Sequence, residues 1–233
     1  MLENKTGWEF WIMDLNELRR IPLLRALRDE QLEILQGNAQ IRDYKKNKRI
    51  FEPGCKDNFI MIVLEGKVRI YLAYPDGKEF TIAFLEPGDI YSSHSKTFAE
   101  AREAAQILAI SAKAFHLFML NNPTILIGMV KALGDSLGNT LRIIENLAFL
   151  DIDKRLARFL LDAAKEKGVI KEEGTFINLG LSVEDIALAV GSSRQTASML
   201  LNRWERDGVI KRNRKTVFLL DEPRLQELGE RTE

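Results

Sequence analysis

The chain has one cysteine, Cys55, and two histidines, His94 and His116, among its 233 residues. A single cysteine excludes an internal disulfide framework, a multi-cysteine zinc site and an iron–sulfur cluster held within one chain. The histidines stand 22 positions apart, so the clustered imidazoles and carboxylate of a catalytic metal are missing. No nucleophile–base arrangement accompanies them, and an enzyme is not expected. Neither a signal peptide nor an apolar run of ~18 residues occurs, which makes the cytoplasm the default location. Charge of one sign is also lacking. Lysine plus arginine equal aspartate plus glutamate at 34 each, so the total names no partner, although a neutral sum can hide local patches. What remains is 45% hydrophobic and 29% charged, an ordinary folded composition with enough chain for one or two cores.

Three textures follow one another. The opening "MLENKTGWEFWIMDL" carries Trp8, Phe10 and Trp11 and reads as an ordered arm or short helix that packs against something. Helical spacing follows in "DLNELRRIPLLRALRDEQLEIL". Then "RIFEPGCKDNFIMIVLEGKVRIYLAYPDGKEFTIAFLEPGDIY" alternates with period two and is punctuated by Pro-Gly, Glu-Gly and Asp-Gly pairs. These are strand and hairpin signals, clearest at Asp76-Gly77. Strands at this spacing, continued through "AAQILAIS", predict a small antiparallel β-roll or barrel. Residues 1–122 are thus read as a β-roll domain with an N-terminal arm.

From Pro123 the period changes. Leu126, Val130, Leu133, Leu137, Thr140, Ile144 and Leu147 are spaced 4, 3, 4, 3, 4, 3. This seam of about three heptads predicts a helix over 123–150 that pairs with a second copy of itself, the alternative being a helix packed on its own domain.

The third texture, within 151–233, reads helix, glycine-containing turn, helix and short hairpin in "LSVEDIALAVGSSRQTASMLLNRWERDGVIKRNRKTVFLL". Ser182 and Ser193 each precede an apolar-periodic run and are predicted to cap the two helices. Ile186, Ala187 and Val190 would face Ala197, Leu200 and Trp204 in a small core, with "VIKRNRKTVFLL" as a wing. Between Ser192 and Thr216 stand seven basic residues against two acids, a footprint for nucleic-acid phosphates. Arg194, Gln195 and Ser198 open the second helix, where arginine suits guanine and glutamine suits adenine in the major groove. Ser192, Ser193, Thr196, Arg203 and Arg214 complete the predicted double-stranded DNA contacts.

A β-roll, a long helix ending in "NLAFLDIDKRLARFLL" and then "GSSRQTASMLLNRW" resembles the CRP/FNR superfamily of bacterial transcription regulators across roughly residues 30 to 225. The resemblance implies an α+β fold: a cyclic-nucleotide-binding-like antiparallel β-roll, a dimerisation helix and a C-terminal winged helix-turn-helix. It also implies a homodimer on a palindromic promoter site, with RNA polymerase as a further partner.

The effector needs its own argument. Where cyclic-nucleotide members hold phosphate with Gly-Glu and Arg-Ser pairs, this chain has Gly88-Asp89 and Ser95-Lys96, losing the bidentate arginine. The cysteine cluster of the oxygen-sensing branch is absent. "VRIYLAYPDGKEFTIAFLEPGDIYSSHS", with "MVKALGDSLGNTLRIIENLAFLDI" after it, looks like the CooA-like haem-containing carbon monoxide sensors. That resemblance implies haem b, with His94 as an iron ligand, and a diatomic gas effector, carbon monoxide first and nitric oxide second. Ser92 stands where a member of that branch has a ligating cysteine, so no thiolate-ligated ferric form is expected. Val130, Leu133, Gly134 and Leu137 offer a dry pocket on the long helix, Gly134 reading equally well as a close helix–helix contact. The branch's second ligand is the N-terminal amine of the partner chain, which carbon monoxide displaces. Leu2 is expected to leave the initiator methionine in place, so any such amine would belong to Met1, with the Met1 and Met13 thioethers as substitutes. The alternative is a regulator of the same superfamily without haem, responding to another small molecule. His116 and Cys55 are read as structural and idle.

Overall fold

The structure, a computed structural model, describes residues 14–229 apart from 20, 22, 23 and 26, with backbone alone at 17 and 123–125. The chain divides into two compact units, Met1–Leu137 and Gly138–Glu233.

In the first unit the helical stretch expected before the strands is two short helices, α1 (Leu15–Leu18) and α2 (Asp29–Gln36). Pro22 explains the break, since a proline disfavours α geometry at the residue before it. Eight strands follow: β1 (Ala39–Tyr44), β2 (Arg49–Phe51), β3 (Phe59–Glu65), β4 (Val68–Ala73), β5 (Glu79–Leu85), β6 (Ile90–Ser92), β7 (Phe98–Ala101) and β8 (Ala105–Ser111). They form two antiparallel four-stranded sheets, ordered β1-β8-β3-β6 and β2-β7-β4-β5. Alternation along β3 and β8 serves two cores at once. Met61, Val63, Ile107 and Ala109 pack with Val68 and Ile70 of the other sheet. Ile62, Leu108 and Ile110 point the opposite way, onto Leu18, Leu32 and Leu35 and onto Phe115 and Phe118 of α3 (Ala112–Leu120). The predicted Asp76-Gly77 turn joins β4 to β5, with Gly77 donating its N–H to Tyr74 O at 2.9 Å.

Helix α4 runs from Pro123 to Phe149. Leu126, Val130, Leu133, Leu137, Ile144 and Leu147 of the heptad seam are exposed, as are the neighbouring Ile127 and Leu141. So long an apolar stripe left open to water calls for a cover.

The second unit contains α5 (Ile152–Lys167), β9 (Val169–Lys171), β10 (Gly174–Asn178), α6 (Val183–Ala189), α7 (Arg194–Arg206), β11 (Ile210–Asn213), β12 (Thr216–Leu219) and α8 (Glu222–Gly229). The wing is one half of a four-stranded sheet, ordered β11-β12-β10-β9, and not a lone hairpin. Ile186, Ala187 and Val190 do bury against the α7 residues Ala197, Leu200 and Trp204, joined by Leu156, Leu160 and Leu201.

Candidate nucleic-acid interface and effector loop

Both serine caps form. The Ser182 hydroxyl accepts the Asp185 N–H at 3.2 Å, while Asp185 Oδ2 accepts the Ser182 N–H at 3.0 Å, a reciprocal box that starts α6. Ser193 Oγ accepts the Thr196 N–H at 3.1 Å and starts α7. Gly191 turns the chain between the helices at φ 64°, a left-handed value that glycine adopts without penalty. Arg155 of α5 donates to the Gly191 carbonyl at 3.4 Å from behind.

Capping fixes which face of α7 is open. Ala197, Leu200, Leu201 and Trp204 bury, and Arg194, Gln195, Met199, Asn202, Arg203 and Arg206 are exposed, with Ser198 half-buried beside them. The base-reading side chains expected at the start of α7 therefore share one exposed surface. Met199 belongs to it too, one turn beyond Gln195, and was missed because a methionine at helical spacing reads as core. An exposed methionine there has a partner chemistry in the thymine methyl group. Ser193 and Thr196 bond each other at 2.8 Å, and Ser192 Oγ donates to Ser193 O at 2.9 Å, so these hydroxyls hold the turn. Arg194→Ala is expected to cost about 1–3 kcal/mol on a specific duplex and to relax selectivity at one base pair, as read by anisotropy titrations on single-base variants.

The basic footprint is smaller than its count of seven suggests. Arg212 is turned inward: its guanidinium meets Glu205 Oε2 at 2.9 Å and Asn202 Oδ1 at 2.5 Å, and its backbone N–H meets Glu205 Oε1 at 3.0 Å. Lys211 pairs with Glu173 at 3.0 Å. Arg194, Arg203, Arg206, Arg214 and Lys215 remain at the surface. Burial works to raise the Glu205 pKa, but the hydrogen bonds from Arg212 and its positive charge outweigh it and hold the carboxyl below its ordinary value. A depressed carboxylate stabilises above its unfolded pKa and loses that contribution as pH falls through the folded value. Glu205→Gln should therefore lower the melting temperature at pH 7, with the difference from the parent shrinking as pH falls below the ordinary carboxylate range.

In the β-roll, the loop after β6 is pinned from below. The buried Ser93 hydroxyl accepts the Phe59 N–H and donates to Asp57 O, both at 2.9 Å. Ser92 Oγ accepts the His94 N–H at 3.2 Å, so Ser92 helps shape the loop. His94 itself is exposed, with Nδ1 3.4 Å from Asn58 Oδ1. A proton on Nδ1 directed at that amide oxygen leaves Nε2 with its lone pair outward, the donor chemistry of an iron-binding imidazole. Asp89 Oδ2 accepts the Glu86 N–H at 2.8 Å, Ser95 Oγ bonds Thr97 Oγ1 at 2.6 Å, and Lys96 lies in solvent.

On α4, a methyl group added at Gly134 would meet nothing within 4 Å, and Val130, Leu133 and Leu137 around it are exposed. An open, apolar, glycine-centred surface fits a haem face, and it fits a second helix equally. Met1, Met13 and the aromatic arm lie outside the described residues. Among the described residues no group of three or more His, Cys, Asp or Glu could hold a bare metal ion, and no helix is long and apolar enough to cross a membrane. His116 lies exposed on α3, and Cys55, half-buried, directs its thiol at Asp57 O.

Comparison with known proteins agrees with this architecture. Residues 41–122 match the cyclic nucleotide-binding domain and residues 154–228 the Crp-like helix-turn-helix domain. A mutant of CooA from Carboxydothermus hydrogenoformans is 36% identical in sequence and has a TM-score of 0.82, covering 94% of this chain and 98% of that one. The cAMP-activated global transcriptional regulator CRP of Pasteurella multocida is 28% identical over 82% of this chain and 95% of its own. The global nitrogen regulator of Synechococcus elongatus is 28% identical over 87% and 94%. With a roll, a long helix and a capped helix-turn-helix in this order, the chain belongs to the CRP/FNR superfamily of DNA-binding transcription regulators, which are not enzymes.

Proposed function

We propose that this regulator is a homodimer that binds haem b in its β-roll through His94 and switches its DNA affinity when a diatomic gas, carbon monoxide in the first place, binds there. The observation that carries the reading is an exposed imidazole, oriented by Asn58 on a loop pinned by Ser93, in a chain 36% identical over nearly its whole length to CooA, another solved form of which is described as a CO-dependent transcription factor. When bound, the haem would supply an iron centre able to take a small gas as a ligand.

The rest falls to this chain's own residues. His94 would be the side chain that holds the iron, its Nδ1 facing Asn58 Oδ1. Val130, Leu133 and Leu137 exclude water, and Gly134 removes the side chain that would stand nearest. The Met1 amine would supply a second, exchangeable ligand, as the resemblance implies. The α4 seam joins two copies, and the paired α7 helices meet half-sites one turn of DNA apart in a palindromic promoter, where RNA polymerase is the further partner. The cytoplasm is the compartment that suits such a regulator.

A second reading, an effector without haem, draws support from the match of 41–122 to the cyclic nucleotide-binding domain. The absorption spectrum of haem-loaded protein separates the two. The reading predicts stoichiometric haem, a ferrous spectrum that shifts under carbon monoxide, and loss of that spectrum in His94→Ala. Absence of stoichiometric uptake, or a mutant spectrum identical to the parent's, would overturn it.

A further inference from the structure

The wing ends in a two-residue loop, Arg214-Lys215, between the paired residues Asn213 and Thr216. Arg214 has φ 52°. A two-residue hairpin loop with positive φ at its first position ordinarily takes glycine there, because a bulky side chain in that region is strained. Elsewhere among the described residues positive φ falls on glycine, as at Gly77 and Gly191, with Asn47 the one other exception. A long cation has been kept at the wing tip against the backbone's preference, and outliers of this kind cluster where a side chain is needed for function.

The tip is also held rigidly. The Lys215 carbonyl accepts the Gly180 N–H at 3.1 Å, and Thr216 Oγ1 donates to Asn213 O at 2.8 Å. The strand leading to it is fixed to α7 by the Arg212–Glu205–Asn202 bonds. Phosphate binding alone needs neither the strain nor the rigidity, since any flexible lysine on the strands would serve. Arginine presented on a stiff protrusion is what a narrow minor groove attracts, because A·T-rich DNA deepens the negative potential there. The hairpin begins at Ile210, a few residues after α7 ends at Arg206, and its tip residue Arg214 is exposed in the same unit as the open face of α7.

We propose that Arg214 enters the minor groove beside each half-site and reads A·T against G·C, a second specificity element separate from α7. This rests on the DNA-binding reading, and the test keeps the two apart. The full-length haem-loaded protein is used to select duplexes from a random pool, with and without carbon monoxide, in parallel with Arg214→Lys and Arg214→Gly. The expected result is a two-half-site core flanked by enriched A·T pairs, whose replacement by G·C weakens wild-type binding roughly five- to tenfold. Arg214→Lys keeps the core and the salt dependence while losing the flank preference. Arg214→Gly loses it too and melts at a higher temperature, the strain having been relieved. An enriched core with random flanks, or flank preference intact in both variants, overturns the wing assignment alone. Failure to enrich any core overturns the DNA-binding reading and the wing assignment with it.

Discussion

Glutamate at both Leu133 and Leu137 is expected to leave the protein monomeric and to weaken its hold on a two-half-site duplex by roughly 10²–10⁴-fold, the advantage of joining two modest binders into one. The two leucines are 66% and 61% exposed on α4, in the middle of a seam that no other described part of the chain covers. Burying a leucine is worth about 1.5–3 kcal/mol. Two from each chain therefore give about 6–12 kcal/mol, comparable to the ~4–15 kcal/mol cost of association. Reversing that contribution and placing four carboxylates in one seam decides the balance against the dimer. Sedimentation velocity reads the mass and anisotropy reads the affinity. The same variant should keep its fold, since neither residue supports the core of its own unit. A double mutant that stays dimeric would show that the seam serves something else.

Trp204→Ala is expected to unfold the DNA-binding unit or bring it close to doing so. Trp204 is 1% exposed and stands among the largest fully buried side chains, between α6 and the strands that follow α7. Removing so large a buried ring costs about 3–5 kcal/mol, a large part of the ~5–15 kcal/mol that holds a domain together. Its indole N–H meets no hydrogen-bond partner among the described residues. Trp204→Phe should therefore be much milder, because the lost volume is offset in part by removal of a buried unpaired donor. Calorimetry or urea titration orders the three proteins as parent, Phe, Ala. The His94-dependent spectrum should be unchanged in Trp204→Phe, because the residue belongs to the other unit.

Much of this was legible in the sequence where a local rule has one outcome. Ser182 and Ser193 announced helix starts because their hydroxyls have backbone N–H groups to cap, and Asp76-Gly77 announced a hairpin because few other pairs make that turn. Alternation in β3 was readable as a strand, but not that its two faces feed separate cores, since both faces are apolar. Helical spacing before the strands did not announce the break between α1 and α2. The charge count at the wing did not say which of its side chains face outward. Position alone cannot distinguish an arginine facing phosphate from one facing Glu205, seven residues back on another element. Nor could it reveal the strain at Arg214, which depends on the register of β11 against β12. His94 was found through resemblance. Its pinning by Ser93 and its contact with Asn58 link residues 36 apart and required the fold.

The measurement that tests the account most directly is the affinity of the ferrous, haem-loaded protein for a selected duplex, at one fixed salt concentration, with and without carbon monoxide. Coupling between sites of this kind is typically worth about 1–3 kcal/mol. The account predicts that the gas tightens binding by roughly 5–150-fold, the range that such a coupling gives, and that His94→Ala abolishes the difference while still binding DNA in the untreated manner. Equal affinity with and without the gas, in a protein that does carry haem, would contradict it.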